Sequence, residues 1–585
     1  MRKILTLALI VALVSLTGLF VAANAQVSPK QTFPSPAPQF SKAVAFDRSA
    51  PARNMAQGLP HFPALFDDDF RPERGITQHD KGFSGDRARQ LASKTGTGPN
   101  IPSPLLTFEG VSNQDNFNIF GGLVAPPDPV GAVGPNHYVE MVNLAFSVYD
   151  KQGTLLLGPV DTGTLWAGFS IPDCTDPSGD PVVLYDHLTD HWLLSQFTTR
   201  GLSDPSLPFY NCVAISVTGD PTGEYYRYAF NTTQGGLFYF PDYPKYGSWP
   251  KSFVLTSRDF GPTVEYGISV YALEKDKMIV GDPNARAVKF FLDSNIVGLN
   301  LVGDGLLPGD MDGHHLPASN SPIPIIGSQD DGAGYGGTSD ALNIWEMSVK
   351  WRKNPIASIT FAAQLPIAPF DTIFPCGVVG GSQPPSARDC LPEPGVTDGS
   401  RFLDILSYRQ RPTFRAAYRK FSGYASIVTN QSVEAAPGMA GVRWWEIRKI
   451  DGAYSLYQEG TYAPDDGVHR WMGSIAMDRK GNMALGYSVV NGTDVWPGIR
   501  YTGRMRKDPL GEMSLGEGTI VNGTGVQLTT GSRWGDYTSM NVDPSDDCTF
   551  WYVNEYYQID GIIGVNTAPW QTRIGSFRLP GCAGD

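Results

Sequence analysis

The 585-residue chain has few cysteines and few histidines, and it lacks the short motifs of several common enzyme classes. None of its six cysteines falls in a CxxC pair, which argues against a structural zinc site. A GxSxG elbow, an HExxH helix and a phosphate-binding P-loop are also absent. The sequence therefore gives no support for a serine hydrolase, a zinc protease or a nucleotide-dependent enzyme.

Long apolar runs are confined to the N-terminus. Residues 1–25 carry a short basic start, Arg2 and Lys3, and then an apolar stretch that ends in Ala23-Asn24-Ala25. This pattern is typical of a signal peptide and predicts cleavage before Gln26; an uncleaved membrane anchor is the weaker alternative. No later run is long enough to span a bilayer, so we expect a secreted protein, extracellular or periplasmic.

The six cysteines fit an oxidising, exported environment. Sequence alone does not select their pairing. Pairing between sequence neighbours would close three local loops, so we predict the disulfides Cys174–Cys212, Cys376–Cys390 and Cys548–Cys582.

The chain is acidic, with a formal net charge of −13 at pH 7, and removal of Arg2 and Lys3 with the signal peptide leaves −15. Such a chain has no bulk attraction for nucleic acid or for anionic membranes. We therefore expect no nucleic-acid partner and no membrane insertion. A monomer is a separate expectation.

Glycine and proline are abundant, with 65 and 47 residues, and they divide the chain into short segments. Residues 26–104 are polar and rich in Pro, Ser, Ala and Gly, which predicts a disordered leader or linker. Over residues 105–585, short runs alternate apolar and polar residues and are rich in Val, Ile, Tyr, Phe and Trp. This second pattern predicts an all-β domain.

The predicted strands recur in a loose unit in which an Asp-led turn joins two apolar strands. Asp150, Asp186, Asp478 and Asp543 begin such turns, where the Asp side chain accepts hydrogen bonds from backbone N–H groups two residues on. Roughly seven such units predict a β-propeller with four-stranded blades, because radial packing buries both faces of every sheet. Strands near residues 105–120 would complete the last blade. Two β-sandwich domains in series are the alternative architecture.

The Asp-turn–strand repeat resembles that of the sialidase-type, Asp-box propellers, and the region after Leu105 is similar to secreted bacterial propeller proteins. The resemblance lies in the stretch SDDCTFW from Ser545 to Trp551, set against the pattern Ser/Thr-x-Asp-x-Gly-x-x-Trp. Thr549 stands in place of the Gly, and the Trp comes one residue early. The resemblance implies the propeller architecture rather than an activity.

Three of the units begin with an arginine followed by a tryptophan. If Arg443, Arg470 and Arg533 occupy equivalent places in their blades, they would converge on one mouth of the central channel. A guanidinium binds a carboxylate through two parallel hydrogen bonds. The full candidate substrate-binding set adds aromatic rings that could stack on sugars: Arg443, Arg470, Arg533, Trp471, Trp534 and Tyr537. The alternative is that each Arg pairs with a neighbouring acid and each Trp lies in the core.

Acidic residues and a histidine close to these steps are the candidate catalytic groups. A glycosidase needs two carboxyl groups, one of them protonated, and Asp536 and Glu446 are the predicted pair. A polysaccharide lyase instead needs a cation and a base. His469, which is followed by an arginine, is the predicted base, with His137 and Tyr537 as alternatives.

The loop PGDMDGHHLP is the candidate metal site. Asp310 and Asp312, followed by His314 and His315, place oxygen and nitrogen ligands in one Gly-rich loop, and the later pair Asp330-Asp331 could contribute. Calcium, rather than zinc, is the ion that such an oxygen-rich loop predicts.

Together these features predict an exported propeller that binds a polysaccharide or glycoconjugate, most simply an acidic one. It could cleave that glycan as a glycoside hydrolase or as a lyase, and a neutral glycan stays open if all the arginines form internal pairs. Two alternatives are a noncatalytic carbohydrate- or protein-binding adhesion propeller and a structural propeller that presents loops to a protein partner. The sequence leaves open whether the protein is an enzyme.

Overall fold

The computed structural model describes residues 34–55, 83, 85–95, 97–233, 239–261, 265–331, 334–372, 389–405, 410–529, 533–562 and 568–582. The protein is 49% strand and 8% helix, so the all-β prediction is confirmed. The predicted signal peptide, residues 1–25, lies outside the described residues. In the part of the chain that is described, no helix has the length and apolarity needed to cross a lipid bilayer.

Four short strands lie in the N-terminal part of the chain: β1 (Gln39–Lys42), β2 (Ala45–Arg48), β3 (Arg89–Gln90) and β4 (Leu106–Ser112). Three antiparallel sheets of four consecutive strands follow. Sheet 1 contains β5 (Val130–Val133), β6 (His137–Val142), β7 (Ala145–Asp150) and β8 (Leu155–Asp161). Sheet 2 contains β9 (Val182–Asp186), β10 (His191–Phe197), β11 (Tyr210–Ser216) and β12 (Tyr225–Asn231). Sheet 3 contains β13 (Phe240–Trp249), β14 (Ser252–Phe260), β15 (Glu265–Glu274) and β16 (Arg286–Asp293).

The second half of the chain continues the same plan. Sheet 4 contains β17 (Leu307–Asp312), β18 (Ile323–Gln329), β19 (Ala341–Lys350) and β20 (Ile356–Pro366), and a small hairpin of β21 (Asp389–Leu391) and β22 (Leu403–Asp404) follows it. Sheet 5 contains β23 (Thr413–Lys420), β24 (Ala425–Ala436), β25 (Met439–Ile450) and β26 (Ala453–Tyr462), and sheet 6 contains β27 (His469–Met477), β28 (Met483–Val490), β29 (Gly498–Arg504) and β30 (Glu517–Val521). Sheet 7 contains β31 (Ser539–Val542), β32 (Thr549–Tyr557) and β33 (Trp570–Arg578), with β4 as its fourth strand.

Helices are short and lie in the connections. They are α1 (Ala52–Met55), α2 (Asn113–Phe120), α3 (Arg200–Ser203), α4 (Lys275–Met278), α5 (Ser294–Val297) and α6 (Leu299–Val302), with 3-10 turns at Thr162–Trp166, Pro172–Thr175 and Gly399–Arg401. The longest, α2, begins with a capping box between Ser112 and Asp115 and ends at Gly121 in the left-handed conformation.

The first strand of each sheet forms the inner wall of a ring. Strands β5, β9, β13, β17, β23, β27 and β31 contact one another in this order, and β31 contacts β5 again. Strands β17 and β23 are also hydrogen-bonded in parallel, which joins sheets 4 and 5. These inner strands are almost completely buried, because each sheet packs a face against both neighbours. We call the end of the ring where the inner strands begin the entrance end, and the other the exit end.

The two ends of the chain close the ring together. Strand β4 pairs with β33 in an antiparallel register that sets Phe108 opposite Ile574, so the N-terminal strand completes the sheet made by the C-terminus. This agrees with the prediction for residues 105–120. A sheet finished by two distant segments cannot separate without breaking a full strand ladder, so the closure stabilises the ring.

The preceding segment is a belt on the outside of the ring. Strands β1, β2 and β3 pair with the outermost strands of sheets 3, 2 and 5. The expectation of a disordered leader over 26–104 is therefore wrong for its described residues. An outermost strand presents unpaired backbone N–H and C=O groups, and an extended segment can satisfy them while contributing few apolar side chains, here Ala45 and Phe46 of β2. Composition alone does not show this kind of order.

Two of the three predicted disulfides are present. Cys174–Cys212 ties the 3-10 turn Pro172–Thr175 to β11, and Cys548–Cys582 ties the start of β32 to the end of the described chain. The predicted partner of Cys390, Cys376, lies outside the described residues.

Three of the predicted Asp-led turns have the expected hydrogen bond. The Oδ1 atoms of Asp150, Asp478 and Asp543 accept from the backbone N–H two residues on, at 2.8, 2.8 and 2.9 Å. Asp186 holds its turn through other atoms: its carbonyl accepts from the backbone N–H groups of Thr189 and Asp190, and its carboxylate accepts from the Thr189 hydroxyl. The same carboxylate forms a fully buried ion pair with Lys275 at 2.6 Å, so Asp186 also links neighbouring sheets.

Candidate functional site at the centre of the ring

Aspartates recur where the inner strands begin. Four of them lie two or three residues before an inner strand: Asp128 before β5, Asp180 before β9, Asp304 before β17 and Asp536 before β31. Asp242 is the third residue of β13. All five are buried. Because the inner strands begin at the same end of the ring, their starting residues meet around the central axis at the entrance end.

The backbone at this end adopts a conformation that non-glycine residues rarely take. Asp128, Asp180 and Tyr243 have φ values of 47°, 44° and 51°, and Met472 in β27 has a φ of 50°. Left-handed non-glycine residues cost energy and persist where surrounding contacts enforce them, which is common in functional sites. Four left-handed non-glycine residues near the starts of inner strands therefore point to the entrance end as a candidate functional site.

Hydrogen bonds join the sheets across the axis. Asp128 Oδ1 accepts from the backbone N–H of Asp536 at 2.9 Å, and Asp180 Oδ2 accepts from that of Tyr243 at 2.9 Å. The Tyr243 hydroxyl donates to the Asp536 carbonyl at 3.0 Å, and the Tyr537 hydroxyl donates to a carbonyl of sheet 2 at 2.8 Å. The two tyrosines thus connect sheets 2, 3 and 7 through the middle of the ring.

Two cations are stacked with these rings. The Lys245 ammonium lies 3.5 Å from the centre of the Tyr243 ring and 3.6 Å from that of Tyr537, and the Arg411 guanidinium lies 3.6 Å from the Tyr243 ring. Cation–π attraction therefore holds both charges on the axis. Burial lowers the pKa of Lys245 to about 7, while Asp180 and Asp128 oppose that change.

Asp536 is the carboxylate that the cations share. Arg533 Nη2 lies 2.7 Å from Asp536 Oδ1, and Arg411 Nη2 lies 3.6 Å from Oδ2. Arg533 also pairs with Asp404 at 3.1 Å. Asp536 therefore sits in a network of ion pairs that sheet 7 shares with the segment before sheet 5.

A second kind of carboxyl group lies beside this network. Glu555 Oε2 accepts from the backbone N–H of Gly535 at 2.9 Å, and Glu393 Oε1 accepts from that of Gln527 at 2.9 Å. Burial raises the pKa of both glutamates well above the ordinary value, because the hydrogen bonds they receive do not offset the lost hydration. Burial thus favours the protonated form of both groups.

The central cluster, which we define as Asp128, Asp180, Tyr243, Lys245, Arg411, Arg533, Asp536, Tyr537 and Glu555, is closed in this structure. Tyr537 is 0% exposed, Asp536 1% and Lys245 1%. A ligand can reach these groups only if the stacked side chains separate.

The three predicted arginines do not form one surface. Arg443 lies on β25, the third strand of its sheet, whereas Arg470 lies at the start of the inner strand β27. Arg443 pairs with Asp86 at 2.7 Å and Glu459 at 3.1 Å. The same Arg–Trp dipeptide therefore lies on different strands in different sheets.

Arg470 and Arg533 also have internal partners. Arg470 pairs with Asp466 at 2.7 Å and Glu517 at 2.8 Å, within sheet 6 and the turn before it. Arg533 is the one arginine of the three that belongs to the central cluster. The predicted alternative, in which each Arg pairs with a neighbouring acid, describes all three.

The predicted sugar-stacking tryptophans lie in the core. Trp471 and Trp534 are 0% exposed and pack on each other with ring centres 5.1 Å apart, and Trp534 also stacks on Tyr557. Their faces are covered by protein, so they do not offer a stacking surface to a ligand.

The predicted catalytic residues are separated. Asp536 belongs to the central cluster, but Glu446 lies on β25 and accepts from Ser426, Arg448 and Gln458. His469 begins β27, and its Nδ1 accepts from the backbone N–H of Ala440 at 3.2 Å. Burial, together with the adjacent Arg470, lowers the pKa of His469 to about 4, so the ring is neutral.

The predicted metal loop lies at the exit end, and an arginine occupies its carboxylates. Arg415 Nε lies 2.7 Å from Asp310 Oδ2, and its two Nη atoms lie 3.0 and 2.5 Å from the Asp312 oxygens. The guanidinium thus lies where the predicted calcium ion would have to lie. The pair Asp330-Asp331 is at the other end of sheet 4, where its oxygens lie within 4.8 Å of those of Asp340.

Of the central cluster, the sequence motifs predict only Arg533, Asp536 and Tyr537 as site residues. A usable signal exists at five of the seven inner strands, where Asp follows Gly or Pro and precedes Pro, Tyr or Gly, in PDPV, GDPV, PDYP, GDGL and GDYT. No comparable short pattern points to Lys245, Arg411 or Glu555. Those three side chains reach the axis only through the register of their strands and loops.

Comparison with known proteins gives distant structural likenesses. No protein-family model matches the chain, and no curated protein matches its sequence. Among solved structures it is similar to an α-L-arabinanase from Penicillium chrysogenum complexed with arabinobiose, with 9% identity, 70% of this chain and 100% of that chain covered and a TM-score of 0.32. An α-L-arabinofuranosidase from Fusarium graminearum gives 11% identity, coverages of 58% and 94% and a TM-score of 0.29.

A third likeness is to an exo-β-1,3-galactanase from Clostridium thermocellum, with 11% identity, 81% of this chain and 97% of that chain covered and a TM-score of 0.28. These neighbours are propeller-like glycoside hydrolases. At identities and TM-scores this low, the likeness carries no inference about the chemistry of this chain, which has to rest on its own residues.

Proposed function

We propose that the protein is an exported seven-bladed β-propeller that hydrolyses a glycan, with its reaction centre in the central cluster. One observation carries this proposal: two carboxyl groups in contrasting environments occupy the same cluster. Asp536 is ion-paired with Arg533 and Arg411, whereas burial raises the pKa of Glu555 well above its ordinary value. Glycoside hydrolysis needs one ionised carboxylate and one carboxylic acid.

The proposed roles follow from these environments. Glu555 would donate its proton to the leaving glycosidic oxygen, and Asp536 would act as base or nucleophile on the opposite side of the sugar. Consecutive backbone N–H groups organise the site, since Gly535 donates to Glu555 and Asp536 donates to Asp128. Glu555 replaces Glu446 as the partner of Asp536 in this proposal.

Hydrolysis is favoured over the lyase reaction. Burial and nearby carboxylates raise the pKa of Tyr537 well above the ordinary value, so its hydroxyl keeps the proton that it donates to a carbonyl of sheet 2 and cannot take up another. His469 is neutral, but its Nδ1 lone pair is engaged by Ala440. His137, the remaining base candidate, lies at the exit end of sheet 1, on β6 beside Asp150.

The substrate we propose is a neutral glycan rather than the acidic one that the arginine steps suggested. Arg443, Arg470 and Arg533 all form ion pairs with acids of the protein itself. A uronate carboxylate would have to displace one of these internal carboxylates to gain a bidentate contact. A neutral sugar needs only hydrogen bonds.

The almost complete burial of the central cluster favours one alternative, a noncatalytic exported propeller that binds glycan or protein through its outer surface. In that case the cluster is a stabilising plug of the ring. Substitution of the cluster carboxylates distinguishes the two functions, because a plug affects stability without affecting a reaction.

The test is a glycan panel with purified mature protein. Neutral substrates such as arabinan and galactan and acidic ones such as polygalacturonate would be incubated with the protein, following new reducing ends and the ultraviolet absorbance of unsaturated uronates. We expect reducing ends from a neutral glycan, without that absorbance, and a loss of at least about a hundredfold in Asp536→Asn and Glu555→Gln.

Asp478→Asn is the matched control, because Asp478 is a buried acid at the exit end with a pKa raised by burial to about 6. Its activity should equal that of the wild type. No product from any glycan, or equal activity in Asp536→Asn and Glu555→Gln, would move the assignment to the noncatalytic propeller.

Export is part of the proposal. The two disulfides fit an oxidising compartment. N-terminal sequencing of the protein recovered from the medium or periplasm should begin at Gln26, and retention of residues 1–25 would contradict cleavage.

A further inference from the structure

An open pocket lies at the exit end, away from the central cluster. Its cavity volume is about 30 Å³, and its walls come from the inner strands of sheets 1, 2, 4, 5 and 7 and the turns that follow them. Two histidines from distant parts of the sequence, His187 after β9 and His314 after β17, line it together. His187 is half-buried and His314 is exposed.

A backbone hydrogen bond fixes the state of His187. Its Nε2 lies 2.8 Å from the carbonyl oxygen of Gly313. A carbonyl can only accept, so Nε2 carries a proton, and in the neutral ring the lone pair is on Nδ1. This is the arrangement found in metal-binding histidines, where the second ring nitrogen donates to a backbone carbonyl or a carboxylate and so sets the tautomer.

The spacing of the two imidazoles suits a shared ion. Their ring centres are 6.1 Å apart and their planes are 79° from parallel. Zinc lies about 2.0–2.1 Å from an imidazole nitrogen and is usually tetrahedral, so two rings on one ion have centres roughly 5 to 5.5 Å apart. The observed separation is slightly larger, and rotation of the exposed His314 side chain can close the difference without moving either backbone.

The carboxylates of the pocket are already engaged. Asp312 is paired with Arg415, and Asp547 is paired with Arg419 through contacts of 2.6 and 2.8 Å. Oxygen ligands for a hard cation such as Ca²⁺ would have to be taken from these arginines, whereas the two imidazoles need no such exchange. The pocket therefore favours an ion that prefers nitrogen ligands.

We propose that the exit-end pocket binds a late first-row transition-metal ion, such as Zn²⁺, through His187 Nδ1 and one nitrogen of His314. Solvent water completes the coordination, since the pocket is open. The site is independent of the central cluster and of the proposed hydrolysis.

The test measures metal binding directly on the full mature chain. Apo protein would be titrated with Zn²⁺ and, separately, with Ca²⁺ by calorimetry, and the bound metal counted by elemental analysis. We expect one Zn²⁺ per chain, an affinity at least tenfold lower in His187→Gln and in His314→Ala, and no competition from Ca²⁺. In His187→Gln the side-chain amide can still donate to Gly313, so the fold is kept while the lone pair is lost.

His315→Ala is the matched control, because His315 is the exposed neighbour of His314 and does not line the pocket. It should bind Zn²⁺ like the wild type. The proposal is overturned by no zinc binding, by unchanged affinity in both His187→Gln and His314→Ala, by an equal loss in His315→Ala, or by displacement of Zn²⁺ by equimolar Ca²⁺.

Discussion

The carboxyl group of Glu140 lies where the ring closes, and its protonation should set much of the pH dependence of unfolding. Glu140 Oε2 accepts from the Val111 N–H at 2.9 Å, and Oε1 lies 2.5 Å from Thr572 Oγ1. The Thr572 hydroxyl also donates to the Val111 carbonyl at 2.8 Å. Thr572 has a single hydroxyl proton, which it donates to the Val111 carbonyl. The short contact with Glu140 Oε1 is then a hydrogen bond only if the Glu140 carboxyl is protonated and donates to Thr572 Oγ1.

Burial raises the pKa of Glu140 from 4.5 to about 8. A raised pKa means that the folded state holds the proton after the unfolded state has released it. Stability is therefore fully present below about pH 4.5 and is lost as the pH rises toward 8, at about 1.4 kcal/mol per pH unit. Over the whole interval the loss is on the order of 5 kcal/mol.

Glu140→Gln mimics the protonated form, because its oxygen can accept from Val111 and its amide can donate to Thr572. The wild type should lose stability as the pH rises, whereas this variant should lack the loss due to Glu140. In urea unfolding, we expect the free energy of unfolding of the variant minus that of the wild type to increase by about 3 kcal/mol between pH 5 and pH 8. The difference between the two proteins removes the contributions of other titrating groups. Parallel pH profiles for the two proteins would refute the buried, protonated Glu140.

Three further changes test other parts of the structure. Gly110→Ala should destabilise the ring by about 1–3 kcal/mol in urea unfolding, because its Cβ would lie 2.5 and 2.6 Å from the Glu140 oxygens; an unchanged midpoint would contradict this packing. His469→Asn keeps an acceptor for Ala440, and the wild type should lose stability relative to it as the pH falls from 6.5 through about 4, since burial lowers the pKa of His469; equal acid sensitivity would contradict the neutral ring. Asp86→Asn should cost about 1–3 kcal/mol by weakening the fully buried pair with Arg443, whereas Asp465→Asn, whose carboxylate is 82% exposed, should cost less than about 1 kcal/mol; equal effects would show that the belt is not anchored at Asp86.

The periodic features of this chain could be predicted because they depend on local chemistry. Alternating strands, Asp-led turns at Asp150, Asp478 and Asp543 and a closing strand near residues 105–120 each follow from short stretches of sequence. The belt could not be predicted in this way. Its strands are held by backbone hydrogen bonds to edges formed elsewhere, and a polar, Pro-rich composition gives no sign of them.

The candidate site shows the same division. The sequence predicts Asp536 as a site residue because it follows the Arg533-Trp534 dipeptide closely. No short sequence pattern predicts Lys245, Arg411 or Glu555. Their relation to Asp536 depends on which strand begins at the axis and on the register of β32 against its neighbours. For the same reason, similar Arg–Trp steps ended in different places, on a third strand for Arg443 and near the axis for Arg533.

The sequence by itself determined that this protein is built from β-strands, where many of its turns lie, and which residue types are available for chemistry. Those properties follow from side-chain period and turn propensity, which act over a few residues. Only the tertiary structure decided which charges meet. Ring closure brings the starts of inner strands from every part of the chain to one axis. There burial and cross-sheet contacts, rather than sequence spacing, raise the pKa of Glu555 and set the partners of Asp536.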